Sequence, residues 1–193
     1  RECMRSKNQP RQVKVKLTVF ALDNIGGIPA HPLMVHIPVV LVPLAFILTI
    51  ASLWKRFRTP ILIAAAITAG LGGIGALLAG GSGESLVGAV RGKADRQLLH
   101  EHTESGGQAQ GAAGALAGVA IVTAAEEVLR RKGKLPKALN FPKWVPAGLL
   151  AASIATGAVA TYMVYDAGHT GAKSVWNGVK AVGEGGERGG DDD

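Results

Sequence analysis

The stretch that decides the fold is IPVVLVPLAFILTIASLW, residues 37–54, which contains no charged residue. A helix needs about 20 apolar residues to cross a hydrocarbon core of about 30 Å. Three other stretches approach that length, and the predicted spans are 32–54, 60–80, 107–129 and 144–165. The sequence therefore predicts an all-α integral membrane protein, a four-helix bundle that forms one domain.

The segments around these spans divide the chain into three regions. Residues 1–27 form a basic flexible tail, residues 28–170 the four-helix transmembrane domain, and residues 171–193 a C-terminal region. Apolar residues at helical spacing, among them Val175 and Trp176, predict a short interfacial helix after the fourth span. The closing GEGGERGGDDD, acidic and rich in glycine, is typical of a disordered tail.

Basic residues predict the orientation of the bundle. The loop between the first two spans carries Lys55, Arg56 and Arg58, and the loop between the last two carries a second basic cluster within 130–143. Both loops are free of acidic residues, so the positive-inside rule places them in the cytoplasm. Both termini and the 81–106 loop then lie outside, giving an N-out/C-out topology.

Composition excludes several classes of function. The formal net charge is +7, but the basic residues flank apolar stretches and build no face with stacking aromatics, so no nucleic-acid partner is predicted. The single cysteine, Cys3, excludes an internal disulfide or a cysteine-ligated cluster. The chain has no HExxH, Walker loop or nucleophile elbow, so hydrolytic chemistry has no support.

The histidines are the most informative residues. With the predicted topology all five fall at the outer face: His31, His36, His100, His102 and His169. Each one alone is typical of an interfacial side chain, but together they bring imidazoles from three chain regions to one level. His36 lies about one turn deep if the helix begins at Pro32. Alternatively, the helix begins at Pro38 and the residues before it are extended.

Helical phase separates the two histidines before the third span. His100 continues the stripe of Gly107, Gly111, Gly114 and Gly118, whereas His102 is rotated by about 200°. We therefore expect His100 to point inward. Glycines on the second and third spans predict close helix packing, or alternatively a slot for a flat ring.

Two cofactor chemistries and one structural role fit this cluster. Haem b would take His36 with His100 or His169 as axial ligands, with His31 in support, in a protein that passes electrons near the outer face. Alternatively, His36, His100 and His169 bind zinc or copper, with His102 and Glu84 as weaker candidates and Asp166 in the same region. In the third reading the protein is a non-catalytic subunit or scaffold of a larger respiratory complex, and the histidines cap the bundle.

Several segments resemble a bacterial membrane-protein family, domain of unknown function 2231. GIPAHPLMVHIPVVLVPLA, residues 27–45, resembles its HPxxVHFP signature, with Ile37 where Phe is usual. SGESL at 82–86, LLHEH at 98–102 and YMVYDAGHTGA at 162–172 extend the resemblance over roughly 27–176. The last segment resembles the family's LVYxHG pattern with a longer gap before the histidine.

The resemblance implies site residues, a location and a class of chemistry. It marks His31, Pro32, His36, Pro38, His100, Glu101, Tyr165 and His169. It implies a multi-pass protein of the bacterial plasma (inner) membrane. Related domains occur joined to Rieske-type or cytochrome c modules, which implies redox chemistry with a quinone or with a redox partner on a separate chain. An electron carrier or accessory subunit is then expected rather than a stand-alone enzyme.

Overall fold

The computed structural model describes residues 24–25, 27–90, 95–134, 142 and 144–176. A two-stranded antiparallel hairpin, β1 (Asn24–Ile25) and β2 (Ile28–Pro29), precedes the helices. The helices are α1 (His31–Met34), α2 (His36–Ala51), α3 (Arg58–Val90), α4 (Arg96–Arg131) and α5 (Val145–Trp176), with a 3₁₀ turn at Lys55–Phe57. Most of the predicted tail, 1–27, and residues 177–193 lie outside the described part.

Four helical segments of the described chain are long and apolar enough to cross a membrane, which confirms the predicted four-helix membrane bundle. Each long helix packs on its neighbours in sequence, and α5 closes the ring against α2. The last three crossing helices exceed their predicted spans, and the 36 residues of α4 reach about 54 Å, whereas the first ends at Ala51, short of the predicted residue 54. Helix α5 runs unbroken through Trp176 and so includes the start of the interfacial helix predicted after the fourth span, whose remaining residues lie outside the described part.

The first crossing helix begins at His31, so the alternative of an extended segment before Pro38 is wrong. Val35 separates α1 from α2 but keeps a right-handed helical backbone. The interruption follows from Pro38, whose nitrogen has no proton to donate and whose ring crowds the carbonyl four residues earlier. The backbone is therefore helical throughout residues 31–36, the segment that contains His31 and His36.

Small residues fill the interior and large apolar residues cover the outside. The core cluster is dominated by alanine, around only a few larger side chains such as Val42, Leu116 and Val164. Leucines, isoleucines and valines lie exposed along the same helices, for example Ile47, Ile67, Leu71, Ile74 and Val122. This inverted arrangement suits a bilayer, where close backbone approach replaces the hydrophobic drive between helices.

Glycines on α3 and α5 mark the closest helix contacts. A Cβ built on Gly72 would lie 3.2 Å from Val42, and one on Gly157 would lie 2.7 Å from the ring of Phe46. By contrast, a Cβ on any glycine of the α4 stripe meets no atom within 4 Å: Gly107, Gly111, Gly114 and Gly118. The close-packing prediction therefore holds for the second span, and the α4 stripe faces out of the bundle.

Helix α4 has a defined start and end. Asp95 caps its first turn, its carboxylate accepting hydrogen bonds from the backbone N–H groups of Gln97 at 2.8 Å and Leu98 at 3.2 Å. At its far end Gly133 adopts a left-handed φ of 63°, and Lys134 N–H donates to the Leu129 carbonyl at 3.0 Å. This Schellman ending stops α4 just after its basic last turn.

Candidate functional site

The ends of the bundle carry different polar groups. At one end, which we call the histidine end, the start of α1 meets the later part of α3, the first turns of α4 and the last turns of α5. At the other, the arginine end, the end of α2 and start of α3 meet the end of α4 and start of α5. The antiparallel succession of helices gathers these segments from distant parts of the sequence.

His31 reaches from α1 across to α3. Its Nδ1 lies 2.9 Å from the carbonyl oxygen of Ala79, in a partly buried contact. A Cβ on Gly83, one turn further along α3, would lie 3.0 Å from Cε1 of the same ring. The missing side chain at Gly83 therefore makes the space in which the imidazole lies.

His102 makes the matching contact between α4 and α5. Its Nδ1 lies 3.1 Å from the carbonyl oxygen of Ala167, and a Cβ on Gly171 would lie 2.9 Å from its Cε1. The ring centroids of His102 and His31 are 6.1 Å apart, with an interplanar angle of 73°. The imidazoles of α1 and α4 thus meet edge to face, and each ring packs against a glycine.

The hydrogen bonds fix the tautomer of both rings. A carbonyl oxygen only accepts, so Nδ1 of each imidazole must carry the proton. In a neutral ring Nε2 is then unprotonated and presents its lone pair. A metal-ligating histidine takes the same arrangement, with one nitrogen held by a backbone carbonyl and the other free to ligate.

The other predicted ligands do not meet. His36 is exposed, with its Nδ1 2.7 Å from the Pro32 carbonyl on its own helix. His100 has a side chain 79% exposed, 4.0 Å from Glu104. His169 is exposed and stacks on Tyr165 at 6.0 Å, and Glu84 is exposed as well. Of the four histidines named as cofactor ligands, only His31 lies in the pair.

The expectation that His100 points inward is wrong, and the cause lies in the phase of α4. The prediction took the glycine stripe as the packed face, but that stripe is exposed. The buried face passes through Ala109, Leu116 and Thr123, at intervals of seven residues. Seven residues return a helix to within about 20° of the same direction, so this face leads back to His102.

Polar residues on α4 and α5 support His102. Ser105 donates to the Asp166 carboxylate at 2.8 Å, and Thr170 Oγ1 donates to the Asp166 carbonyl at 3.0 Å. Thr170 Oγ1 also lies 3.5 Å from Nδ1 of His102. Among the described residues, no group of three or more His, Cys, Asp or Glu side chains is placed to hold a metal ion. The histidine end therefore offers two protein ligands.

The arginine end contains a buried carboxylate whose depth the sequence did not reveal. Glu127 is 1% exposed and accepts hydrogen bonds from Thr59 at 3.1 Å, from Arg131 at 2.5 Å and from Arg130. Arg58 Nε lies 3.7 Å away. Both carboxylates pair with arginines one turn further along α4, since Arg131 bonds Glu127 and Arg130 lies 3.2 Å from Glu126. Apart from the charge of Glu127, nothing in the sequence indicated its hydrogen bond to Thr59 on α3.

Comparison with known protein families identifies the chain. The family model described as "Predicted membrane protein (DUF2231)" matches residues 27–183, most of the chain. The chain belongs to the DUF2231 family. No curated protein and no solved structure matches it in the same comparisons.

Family membership agrees with the four spans, because the family is described as a predicted membrane protein. The matched region of this DUF2231 protein begins just before His31 and contains both imidazoles of the pair, both glycines beneath them and the whole arginine end. The family description names no activity and no cofactor. The chemistry of the site therefore has to be argued from its geometry.

Proposed function

We propose that this DUF2231 protein is a multi-pass membrane protein that binds a transition-metal ion between His31 and His102. The observation that carries the proposal is the pair of Nδ1–H···O=C bonds, which leaves Nε2 of each ring as a lone-pair donor. Imidazole nitrogen suits zinc, copper, iron and nickel, and copper binds such ligands most tightly in the divalent series. Copper is therefore the expected ion, with zinc second.

The separation of the rings suits one shared ion. With metal–nitrogen bonds of about 2.0 Å and a ring radius of about 1.1 Å, two imidazoles on one ion have centroids at most about 6.2 Å apart. The observed 6.1 Å is almost equal to that limit, so a shared ion would hold its two imidazole nitrogens nearly opposite each other. A structural zinc site takes four protein ligands, whereas two leave open positions for water or an exogenous ligand. Such a site suits an electron carrier or accessory subunit better than a purely structural metal.

Haem b fits the same place less well. Nε2 of His31 lies 3.8 Å from a Cβ position on Gly83, and Nε2 of His102 lies 3.6 Å from one on Gly171. A macrocycle extends on all sides of its iron and would meet the backbones of α3 and α5 there. The rings as arranged do not fit a haem between them, and the predicted set of His36, His100 and His169 does not converge. Haem, electron transfer, a quinone and a redox partner stay predictions.

The second candidate function is structural, and one observation favours it. His31 ties α1 to α3 and His102 ties α4 to α5, so the pair joins all the crossing segments at one end without any metal. A non-catalytic subunit or scaffold needs no more than this. Metal analysis separates the two functions.

The test uses the full chain purified in mild neutral detergent and loaded with copper or zinc. We expect about one ion per chain by elemental analysis, lost in both His31→Ala and His102→Ala, because the two rings are the only protein ligands proposed. His100→Ala is the matched control, since this exposed histidine lies on the same helix. A chain that stays metal-free after loading would refute the proposal and leave the structural role. A Soret band after haem-sufficient expression would instead identify haem.

A further inference from the structure

We infer that the arginine end of the bundle binds the phosphate of an anionic phospholipid. A groove of about 470 Å³ opens there between the end of α2 and the first turns of α5, with Arg58 and Arg130 at its head. Its walls are apolar and include Leu53, Pro146, Leu150 and Ile154. This site is separate from the histidine pair and lies at the opposite end of the bundle.

The charges at the head of the groove favour an anion. Arg58, Arg130 and Arg131 surround two carboxylates, Glu126 and Glu127, so the cluster keeps one surplus positive charge. Glu127 already accepts hydrogen bonds from three side chains. A phosphate oxygen would supply the acceptor that this cluster lacks, and guanidinium binds phosphate through charge-assisted hydrogen bonds.

One nitrogen of the cluster lacks a hydrogen-bond acceptor. Nε of Arg58 is buried and, in the described structure, has no hydrogen-bond partner. Its separation of 3.7 Å from the Glu127 carboxylate is an ion-pair contact but too long for a hydrogen bond. An unpaired buried donor on a charged group is costly. A ligand oxygen would relieve that cost once the guanidinium turns Nε toward the groove.

The apolar wall identifies the anion as a lipid rather than free phosphate. From Pro146 to Ile154 the wall follows two turns of α5, about 12 Å toward the centre of the bundle. Such a surface suits an acyl chain hanging from a headgroup. Trp54 and Trp144, both mostly exposed, flank this end as interfacial aromatics do. Basic pockets between helices bind anionic headgroups at the cytoplasmic surface, where the predicted orientation places this end.

The experiment measures lipid binding to the delipidated full chain by native mass spectrometry. Phosphatidylglycerol is titrated against phosphatidylcholine, with inorganic phosphate as competitor. We expect phosphatidylglycerol to bind about tenfold more tightly than phosphatidylcholine. Both lipids carry a phosphodiester, but only phosphatidylcholine brings a quaternary ammonium cation, which the surplus positive charge at the arginine end repels. Millimolar phosphate should displace little of it, since it offers no acyl chain to the wall.

Variants assign the binding to the groove. Arg58→Gln should lose about tenfold in phosphatidylglycerol affinity. Lys132→Gln, which removes an exposed basic residue at the same end but neither lines the groove nor belongs to the charge cluster, should bind as the wild type does. Ala151→Trp fills the groove from an exposed helix position and leaves the charge cluster unchanged, so it should reduce binding even if Arg58→Gln does not fold.

Three results would overturn the inference. Equal affinity for the two lipids would show that the arginines select no anion. Wild-type binding by Ala151→Trp, or equal losses in Arg58→Gln and Lys132→Gln, would place the lipid elsewhere. Displacement by phosphate at the concentration of the lipid would identify a free-anion site.

Discussion

A pair of glycines on α5 offers the sharpest test of the histidine site. In Gly171→Ala the new Cβ would lie 2.9 Å from Cε1 of His102, at least 0.5 Å closer than the 3.4 Å where ordinary contact begins. The ring cannot retreat without stretching its 3.1 Å bond to the Ala167 carbonyl. Overpacking of this kind costs about 1–3 kcal/mol. In Gly168→Ala, one turn earlier, the Cβ meets nothing within 4 Å.

Both substitutions gain the same helix propensity, about 1 kcal/mol over glycine, so their difference isolates the clash. We expect Gly168→Ala to be stabilised, and Gly171→Ala to be less stable than it by about 1–3 kcal/mol. The assay is reversible unfolding in mixed micelles of mild detergent and dodecyl sulfate, followed by circular dichroism. Metal content measured on the same samples should fall in Gly171→Ala alone. Equal unfolding free energies for the two variants would show that His102 does not lie against Gly171.

Two more predictions concern the arginine end. Glu127→Gln should lower the unfolding free energy by about 1–3 kcal/mol, because the buried carboxylate would lose its charge-assisted hydrogen bonds to the half-exposed Arg130 and Arg131. The control Glu104→Gln, at a side chain 63% exposed, should change it by less than about 1 kcal/mol, and similar losses in both would contradict the buried network. Orientation is tested by Lys134→Cys in a Cys3→Ser background: a membrane-impermeant maleimide should label it in inverted vesicles but not in intact cells, and the reverse would place the basic loops outside.

The sequence was sufficient for the fold because bilayer crossing has a strong and simple signal. A charge-free run such as 37–54 has few structural alternatives to a membrane-spanning helix. The basic loops indicated where one helix ends and the next begins. The ends of the helices were harder to predict, since α3 and α4 continue beyond the predicted spans into segments of lower hydropathy. Polar residues such as Asp95 then support the helix by capping it.

The site was harder to predict than the fold because the middle of α4 is built mostly from small residues. Glycine and alanine alternate around the helix, so neither marks the packed face by size. The glycine stripe is the predicted packed face, yet Ala113 and Leu116 are fully buried while Gly114 is exposed. Had the phase been set from Leu116 and Thr123, the larger buried side chains, His102 would have replaced His100. The contact between His102 and His31 joins distant parts of the chain, so only the structure reveals it.

The small residues that let these helices approach also leave their alignment weakly specified. An alanine-lined interface offers few side chains that would resist a shift of one turn. A hydrogen bond between two helices, by contrast, forms only when its donor lies opposite its one acceptor. Such bonds lie at the two ends, from His31 to Ala79 and from Thr59 to Glu127, and within the bundle between Thr123 and Ser153 at 2.8 Å. A ligand that binds only the aligned state stabilises it, by about 2.7 kcal/mol at a concentration of 100 Kd. The histidine pair and the arginine groove therefore lie where a bound ion or lipid would reinforce the alignment that the polar contacts begin.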